Sequence, residues 1–366
     1  WPNAGYYAPF ELDGVEDEPG QYLTDRLTDY AKDFISENQD QPFFLYMSHF
    51  AVHDPIHGRS DLVEKYRQKL ASMDPSNSPP FLLEGNPDDP QPLTNEQLVS
   101  LIDLPPYQDY KVLPERTVKI KQHQDNIEFA AMVESMDESL GRIVDHIDQL
   151  GLTDNTLIVF FSDNGGMSGA NFGGASRVVD SSRLDSAYST SNLPLRGAKG
   201  WLYEGGIRVP MIVKWPEKFS DSSRIVEEPV ISTDFYPSLL EMAGLPADDE
   251  QALDGVSFVP ALNGDSFNRG PIFWHFPQYS NHGMQSPGGA VRFGDYKLLE
   301  YFENNTVQLF NLREDIGERN DLSKTEPQIR EELRTLLRSW REDVDAQMPP
   351  RNPDYDPSQY PHRASP

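Results

Sequence analysis

The chain has no cysteine in its 366 residues, which excludes disulfides and thiolate zinc sites. Positive charge is scarce. Thirty-one Lys and Arg stand against 59 Asp and Glu, a formal net charge of −28. A surface of that sign repels phosphate backbones, so nucleic acid is excluded as a partner. Long apolar runs are missing too. A membrane helix needs roughly 18–20 apolar residues, whereas the longest run, around Leu157 to Phe161, is strand-sized, so no membrane span is expected. No internal repeat occurs, and no segment specifies an oligomeric state. The first residue is Trp1 rather than Met, without a charged-then-apolar leader. Residues Trp1 to Gly20, rich in Pro, Gly and acids, read as a loop within a domain, so a processed or partial sequence is expected.

What remains is ordinary for a folded protein. The chain is 37% hydrophobic and 11% aromatic, too apolar for disorder and long enough for one large domain and a smaller one. Asp25 to Glu37 has a helical stripe of Leu27, Ala31, Phe34 and Ile35. Phe43 to Met47 is a continuous apolar run, as in a strand covered on both faces of a parallel sheet. It leads into a polar loop holding His49, His53 and His57. Residues 72–118 are Pro-rich and read as a long excursion. Asn126 to Leu150 is the clearest helix, with Phe129, Val133, Met136, Leu140, Ile143, Ile147 and Leu150 recurring every three or four residues, and Gly151 suits its left-handed cap. Thr156 to Phe161 then forms a strand entering Ser162-Asp163-Asn164-Gly165-Gly166.

Helix, short turn, buried strand and glycine loop make an α/β architecture, in which ligands bind beyond the carboxyl ends of strands. Residues 167–192, rich in Gly, Ser, Ala and Asp, read as a mobile surface loop. Val209 to Trp215 is a further strand and Asp234 to Ala243 a short helix. From about residue 268 the pattern changes to short strands, Ile272 to Phe276, Gly289 to Phe293, Tyr296 to Phe302 and Val307 to Phe310. Glu326 to Val344 closes this antiparallel sheet as a helix, and the Pro-rich end reads as an extended tail. The expected division is 1–267, 268–345 and 346–366.

Three places carry groups suited to chemistry. Asp163 and Asn164 offer a carboxylate and a carboxamide to a hard cation, although Asp-Asn-Gly is also common turn chemistry. Lys199 lies between Gly197 and Gly200, where an ammonium can hold an anion or stand in a solvated loop. His53 can hydrogen-bond an anion or hand a proton to a leaving oxygen, but a lone loop histidine usually does neither.

The order of these motifs resembles that of the type I, formylglycine-dependent sulfatases of the alkaline phosphatase superfamily. The resemblance rests on Pro42-Phe43-Phe44-Leu45-Tyr46, Ala51-Val52-His53-Asp54-Pro55, Asp154-Asn155-Thr156, Ser162 to Gly166, Pro194 to Trp201 and Glu204 to Pro210, and spans roughly residues 20–345. It implies a mostly parallel sheet flanked by helices, with a small carboxyl-terminal antiparallel sheet and closing helix. It implies calcium (Ca2+) ligation by Asp163 and Asn164. Lys199 would bind the sulfate and steady the leaving oxygen, and His53 would contact the sulfate and help protonate that oxygen. Expected substrates are sulfated small molecules or glycans, and the expected location is periplasmic or secreted.

Relatives place leaving-group contacts in the smaller sheet, which makes His275 and His282 substrate candidates. Arg183, Arg196, Lys199 and Arg208 stand out as a focus of positive charge for an anionic substrate. The loop at 167–192 is expected to shape the pocket.

The family's nucleophile arises in a Cys/Ser-x-Pro-Ser-Arg segment, and none occurs here. Also missing are the strand ending in two aspartates and the Gly-Lys-Trp-His segment. Asp88-Asp89 and Asp248-Asp249 sit in Pro-rich turns and read as decoys. In the family all three missing elements lie amino-terminal to this chain's first residue, so a truncated chain, inactive alone, is expected, with formylglycine in its parent. A phosphodiesterase or phosphonate hydrolase on the same scaffold, and a non-catalytic calcium- or glycan-binding remnant, remain alternatives.

Overall fold

The computed structural model describes residues 5–85, 95–102, 117–169, 180–219, 224–246, 250–280, 285–350 and 352–354. The first layer is helical. Helices α1 (Leu23–Glu37), α2 (Ser60–Ala71) and α4 (Ile127–Gln149) pack together, both shorter helices against α4. Asn126 caps α4 by accepting the Phe129 amide at 3.2 Å, and Gly151 follows with φ +70°, as the sequence predicts. The inner stripe of α4 is rotated from the expected one in its first half. Ala131, Met132, Ser135 and Ser139 are buried, while Val133 is 40% exposed. Small side chains let two helices approach closely on that face, and the Thr28 hydroxyl of α1 meets that of Ser139 at 2.5 Å.

The expected strand Phe43 to Met47 joins no ladder among the described residues. Phe43, Leu45 and Met47 pack with Ile35, Ile143, Ile147 and Ile158, whereas Phe44 is 74% and Tyr46 80% exposed. The run is therefore covered on one face rather than two. Strand β3 (Ile158–Phe161) pairs antiparallel with β4 (Met211–Lys214), Phe161 opposite Met211.

The long excursion is not structureless. It contributes β1 (Phe81–Glu84) and a short helix α3 (Asn95–Ile102), and β1 pairs antiparallel with β2 (Val118–Lys121). Pairing satisfies backbone groups that a bare loop would leave to water. Likewise, the end of the expected mobile loop is anchored: Tyr188, Ser189 and Ser191 are buried, and the Asn126 carboxamide donates to the Ser186 and Tyr188 carbonyls at 3.1 and 2.8 Å.

Short helices α5 (Glu204–Ile207), α6 (Phe235–Met242) and α7 (Val259–Asn263) follow. Asp234, fully buried, holds Arg269 through two bonds of 2.8 and 2.9 Å. The last unit is the antiparallel sheet β5 (Ile272–Phe276), β6 (Gly288–Phe293), β7 (Tyr296–Tyr301) and β8 (Val307–Asn311), closed by α8 (Pro327–Asp343).

Period-two alternation decides its packing. Val291, Leu298 and Leu309 face Leu333 and Leu337 of α8, with Phe273 stacked on Trp340 at 4.8 Å. Ala290, Leu299 and Phe310 face the other way, onto Ala198, Trp201 and Tyr203. Burying each large apolar side chain contributes about 1.5–3 kcal/mol, so this sheet presses the Lys199 segment into place. The Asp88-Asp89 and Asp248-Asp249 pairs lie outside the described residues.

Candidate active site

Three glycine-bearing segments stack backbone on backbone. The Gly165 amide donates to the Gly206 carbonyl at 3.0 Å, Gly205 to Arg196 at 2.7 Å, and Lys199 to Gly166 at 3.1 Å. A Cβ on Gly165 would stand 1.9 Å from the Gly205 oxygen, and one on Gly206 would stand 2.1 Å from that of Trp201. Real atoms never approach that closely, so glycine is a packing requirement here. Gly197 and Gly200, at φ +77° and +84°, bracket Lys199 in left-handed backbone that other residues resist.

Asn192 knits the segments together. Its carboxamide nitrogen reaches the oxygens of Gly166 at 2.8 Å, Gly205 at 3.0 Å and Gly197 at 3.4 Å, and the Ser168 hydroxyl at 3.3 Å. Nothing in its sequence neighbourhood marks it, because the polar loop around it gives no pattern.

Of the four basic residues expected to gather an anion, Arg196 is engaged elsewhere. Its guanidinium lies 4.0 Å over the Tyr203 ring, pairs with Glu84 and donates to the Glu318 carbonyl at 2.8 Å. It fastens the Lys199 turn to β1 and to the carboxyl-terminal unit. Arg208 stands 3.5 Å from Glu204, and Arg183 is exposed. Below the turn, Lys297 is fully buried between Glu204 and Glu318, at 2.9 Å from each. Burial raises the Glu318 carboxyl and the Lys297 ammonium only partly offsets it, whereas at Glu204 the ammonium overcomes burial and lowers it.

The structure brings His53 to Lys199 across 146 residues of sequence, Nε2 to Nζ at 2.9 Å. An ammonium only donates, so Nε2 accepts, and the ring proton sits on Nδ1. Nδ1 faces Asp54, with the backbone oxygen at 3.0 Å and Oδ1 at 2.7 Å. The loop is held from below by Tyr6, whose hydroxyl donates to the His53 carbonyl at 3.0 Å. Burial, then the Asp54 charge, push that phenol well above its ordinary pKa, so it stays a donor. Residues in the amino-terminal loop thus pack as a floor, with Tyr6 and Phe10 buried.

Asp163 and Asn164 lie in the loop that Gly166 ties to Lys199. Asp163 is exposed, its Oδ1 accepting the Asn164 amide at 2.8 Å. The Asn164 carboxamide nitrogen donates to the Gly165 carbonyl at 3.0 Å. Among the described residues, Asp163 Oδ2 and Asn164 Oδ1 accept no hydrogen bond, which leaves a carboxylate and a carboxamide oxygen to offer. That donor set fits a hard cation and supplies part of the six to eight oxygens that calcium takes.

His275 lies on β5 with Nε2 2.8 Å from the Gln347 carbonyl, beside the Lys199 turn rather than on it. His282 lies outside the described residues. One acidic cluster was not anticipated, that of His123, Asp125 and Asp185. The buried Lys121 ammonium reaches Asp125 at 2.6 Å and Asp185 at 2.5 Å, so a side-chain cation already stands between the two carboxylates and offsets one of their charges.

The sulfatase family pattern matches residues 1–245, and that of the N-sulphoglucosamine sulphohydrolase carboxyl-terminal region matches 198–343. A sulfatase of Formosa agariphila is 29% identical over 356 residues, covering 91% of this chain and 52% of that protein. The crystal structure of Ps i-CgsB, also solved with k-i-k-neocarrahexaose, superposes with a TM-score of 0.63 at 26% identity, covering 93% of this chain and 58% of that one. A protein crystallised with its substrate D-glucosamine-2-N,6-O-disulfate has the same fold, with a TM-score of 0.63 at 19% identity over 93% of this chain and 74% of that one. The chain spans about half the length of the curated relatives it matches. These matches extend the α/β reading to the alkaline phosphatase-like fold of sulfatases, and the chain belongs to the sulfatase family.

Proposed function

We propose that this chain carries the sulfate-gripping part of a sulfuric ester hydrolase acting on a sulfated glycan, with calcium at Asp163 and Asn164. The observation that carries the reading is the 2.9 Å contact between Lys199 Nζ and His53 Nε2. It places a fixed positive charge and a proton-bearing pair at one point. Sulfate ester cleavage puts negative charge on the departing oxygen, and donors pre-set at that position lower the barrier. Lys199 donates to a sulfate oxygen, and the Lys199 hydrogen that His53 Nε2 accepts is the proton within reach of the leaving oxygen. Asp54 keeps the His53 ring turned so that Nε2 faces Lys199. A bound calcium would polarise the sulfate.

No Cys/Ser-x-Pro-Ser-Arg segment is present, so the attacking group of the family is not among these residues. The 366 residues therefore bind sulfate without hydrolysing its esters. Sulfated glycans and their charged oligosaccharides do not diffuse through a lipid bilayer, which supports work in the periplasm or outside the cell. The test is turnover of an aryl sulfate with calcium, by this chain and by the full-length protein. Activity from the full-length protein alone supports the reading, and turnover by the isolated chain would sink it.

A further inference from the structure

Arg196 and Glu204 stand at the two feet of the loop that carries Lys199. The loop is closed between them, with the Gly205 amide donating to the Arg196 carbonyl at 2.7 Å. One residue of the carboxyl-terminal unit holds both feet. The Glu318 carbonyl accepts from the Arg196 guanidinium at 2.8 Å, and its carboxylate Oε2 accepts the Glu204 amide at 2.7 Å. These partners lie 122 and 114 residues away in sequence. Glu318 Oε1 stands 2.9 Å from the Lys297 ammonium, an ion pair without hydrogen-bond alignment, while that ammonium donates to Glu204 at 2.9 Å.

Glutamate is an uncommon choice for this position. The backbone φ of Glu318 is +52°, in the left-handed region where a β-carbon is crowded and glycine or asparagine is the ordinary occupant. Asp315 closes the turn around it. The Asp315 carbonyl accepts the Glu318 amide at 3.1 Å, and its Oδ2 accepts the amides of Arg319 and Asn320, both at 2.7 Å. The turn thus aims the Glu318 carbonyl at one foot of the loop and its side chain at the other. The residue is fully buried. Strained backbone persists only where its surroundings over-determine it, and an observed outlier of that kind points toward function.

We propose that Glu318 is a positioning residue for Lys199, fixing both feet of the loop so that the ammonium meets His53. The proposal rests on the sulfate reading of Lys199 and deepens it, because a residue that touches no substrate then sets the anion grip. A carboxylate suits the place for a specific reason. Its two oxygens face two donors, the Glu204 amide and the Lys297 ammonium. A carboxamide has one oxygen, so its NH2 opposes one of those donors whichever way it turns.

Two substitutions probe the residue. Glu318→Gln keeps its shape and sets a donor against a donor. Glu318→Gly relieves the backbone, keeps the carbonyl for Arg196 and removes both carboxylate contacts. Asp234→Asn is the control, since it weakens a buried pair with Arg269 that involves no residue of the loop. In the 366-residue chain, 15N NMR reads the His53 ring, with its Nε2 resonance assigned through His53→Ala, and calorimetry reads inorganic sulfate binding. Lys199→Ala gives the resonance without its partner, and every variant is measured where circular dichroism shows it folded. Both Glu318 variants should move the Nε2 resonance toward its Lys199→Ala position and weaken sulfate binding about 10-fold, the size of one hydrogen bond to a charged group. Asp234→Asn should lower Tm and move neither. Glu318→Gln, the milder change, decides where Glu318→Gly does not fold. A native Nε2 resonance in the folded Glu318 variants overturns the positioning role, and so does an equal shift in Asp234→Asn. Absence of sulfate binding by the native chain, with the resonance still answering to Glu318, overturns the Lys199 reading alone.

Discussion

Replacing Asn192 tests the idea that one side chain holds together the loops proposed to bind sulfate. Its NH2 has two hydrogens, so of the four oxygens it approaches only two are full partners at once, and the shortest are Gly166 at 2.8 Å and Gly205 at 3.0 Å. In Asn192→Ala both carbonyls lose that donor. At about 1 kcal/mol per neutral hydrogen bond, the loss is about 2 kcal/mol. For 366 residues, an unfolding entropy of about 2.1 cal/mol/K per residue converts this to a Tm drop of about 2–3 °C.

Asn192→Asp is nearly isosteric and should be worse. It removes the donor and sets a carboxylate against carbonyl oxygens, adding at least another ~1 kcal/mol at neutral pH. The introduced carboxyl is disfavoured when charged, so its folded-state pKa is raised. Stability is therefore retained below its unfolded pKa and lost as pH rises through the folded one. Urea midpoints at pH 4.5 and 7.5 should then converge with and diverge from those of Asn192→Ala, respectively. Because Gly166 also accepts the Lys199 amide at 3.1 Å, sulfate affinity should fall in both variants. The reasoning fails if Asn192→Asp is as stable as the native chain at pH 7.5, or if both variants keep native sulfate affinity.

Three further outcomes follow from the same geometry. Lys297→Met leaves Glu204 and Glu318 buried without their ammonium and should cost about 3–5 kcal/mol. Glu318, already raised by burial, favours folding below its unfolded pKa and loses that as pH rises, so the variant's deficit by urea unfolding should be smaller at pH 5 than at pH 8. Gly205→Ala would set a methyl 2.4 Å from the Arg196 oxygen, and circular dichroism should show loss of the cooperative fold or a markedly lowered Tm. Asp163→Ala should weaken calcium binding at least 10-fold by calorimetry while leaving Tm in chelator unchanged, since Asp163 is exposed; a chelator-independent Tm loss would instead make it a turn residue only.

Much of the fold was legible because it is local. The stripe of the closing helix, with Leu333, Leu337 and Trp340 inward, is the packed one, and the strands of the last sheet lie within a residue of where they were read. The first half of α4 misled because apolar spacing pointed to Phe129 and Val133. The helix chose instead the small face of Ala131, Ser135 and Ser139, since two neighbouring helices press on it. Phe43 to Met47 misled in a similar way, because an apolar run does not say whether both of its faces are covered.

The site divides along the same line. Glycine spacing and the order of His53, Asp163, Asn164 and Lys199 are properties of the chain itself, and they sufficed to mark the family. The tertiary structure decided that His53 and Lys199 touch, that Arg196 is a fastener rather than a substrate contact, and that Asn192 and Lys297 bear the loops. Those facts depend on which oxygen or carboxylate lies opposite a side chain, from Gly166 opposite Asn192 within one loop region to Glu84 opposite Arg196 across 112 residues. No local pattern encodes that pairing, because it is set only when the sheets and helices close around one another.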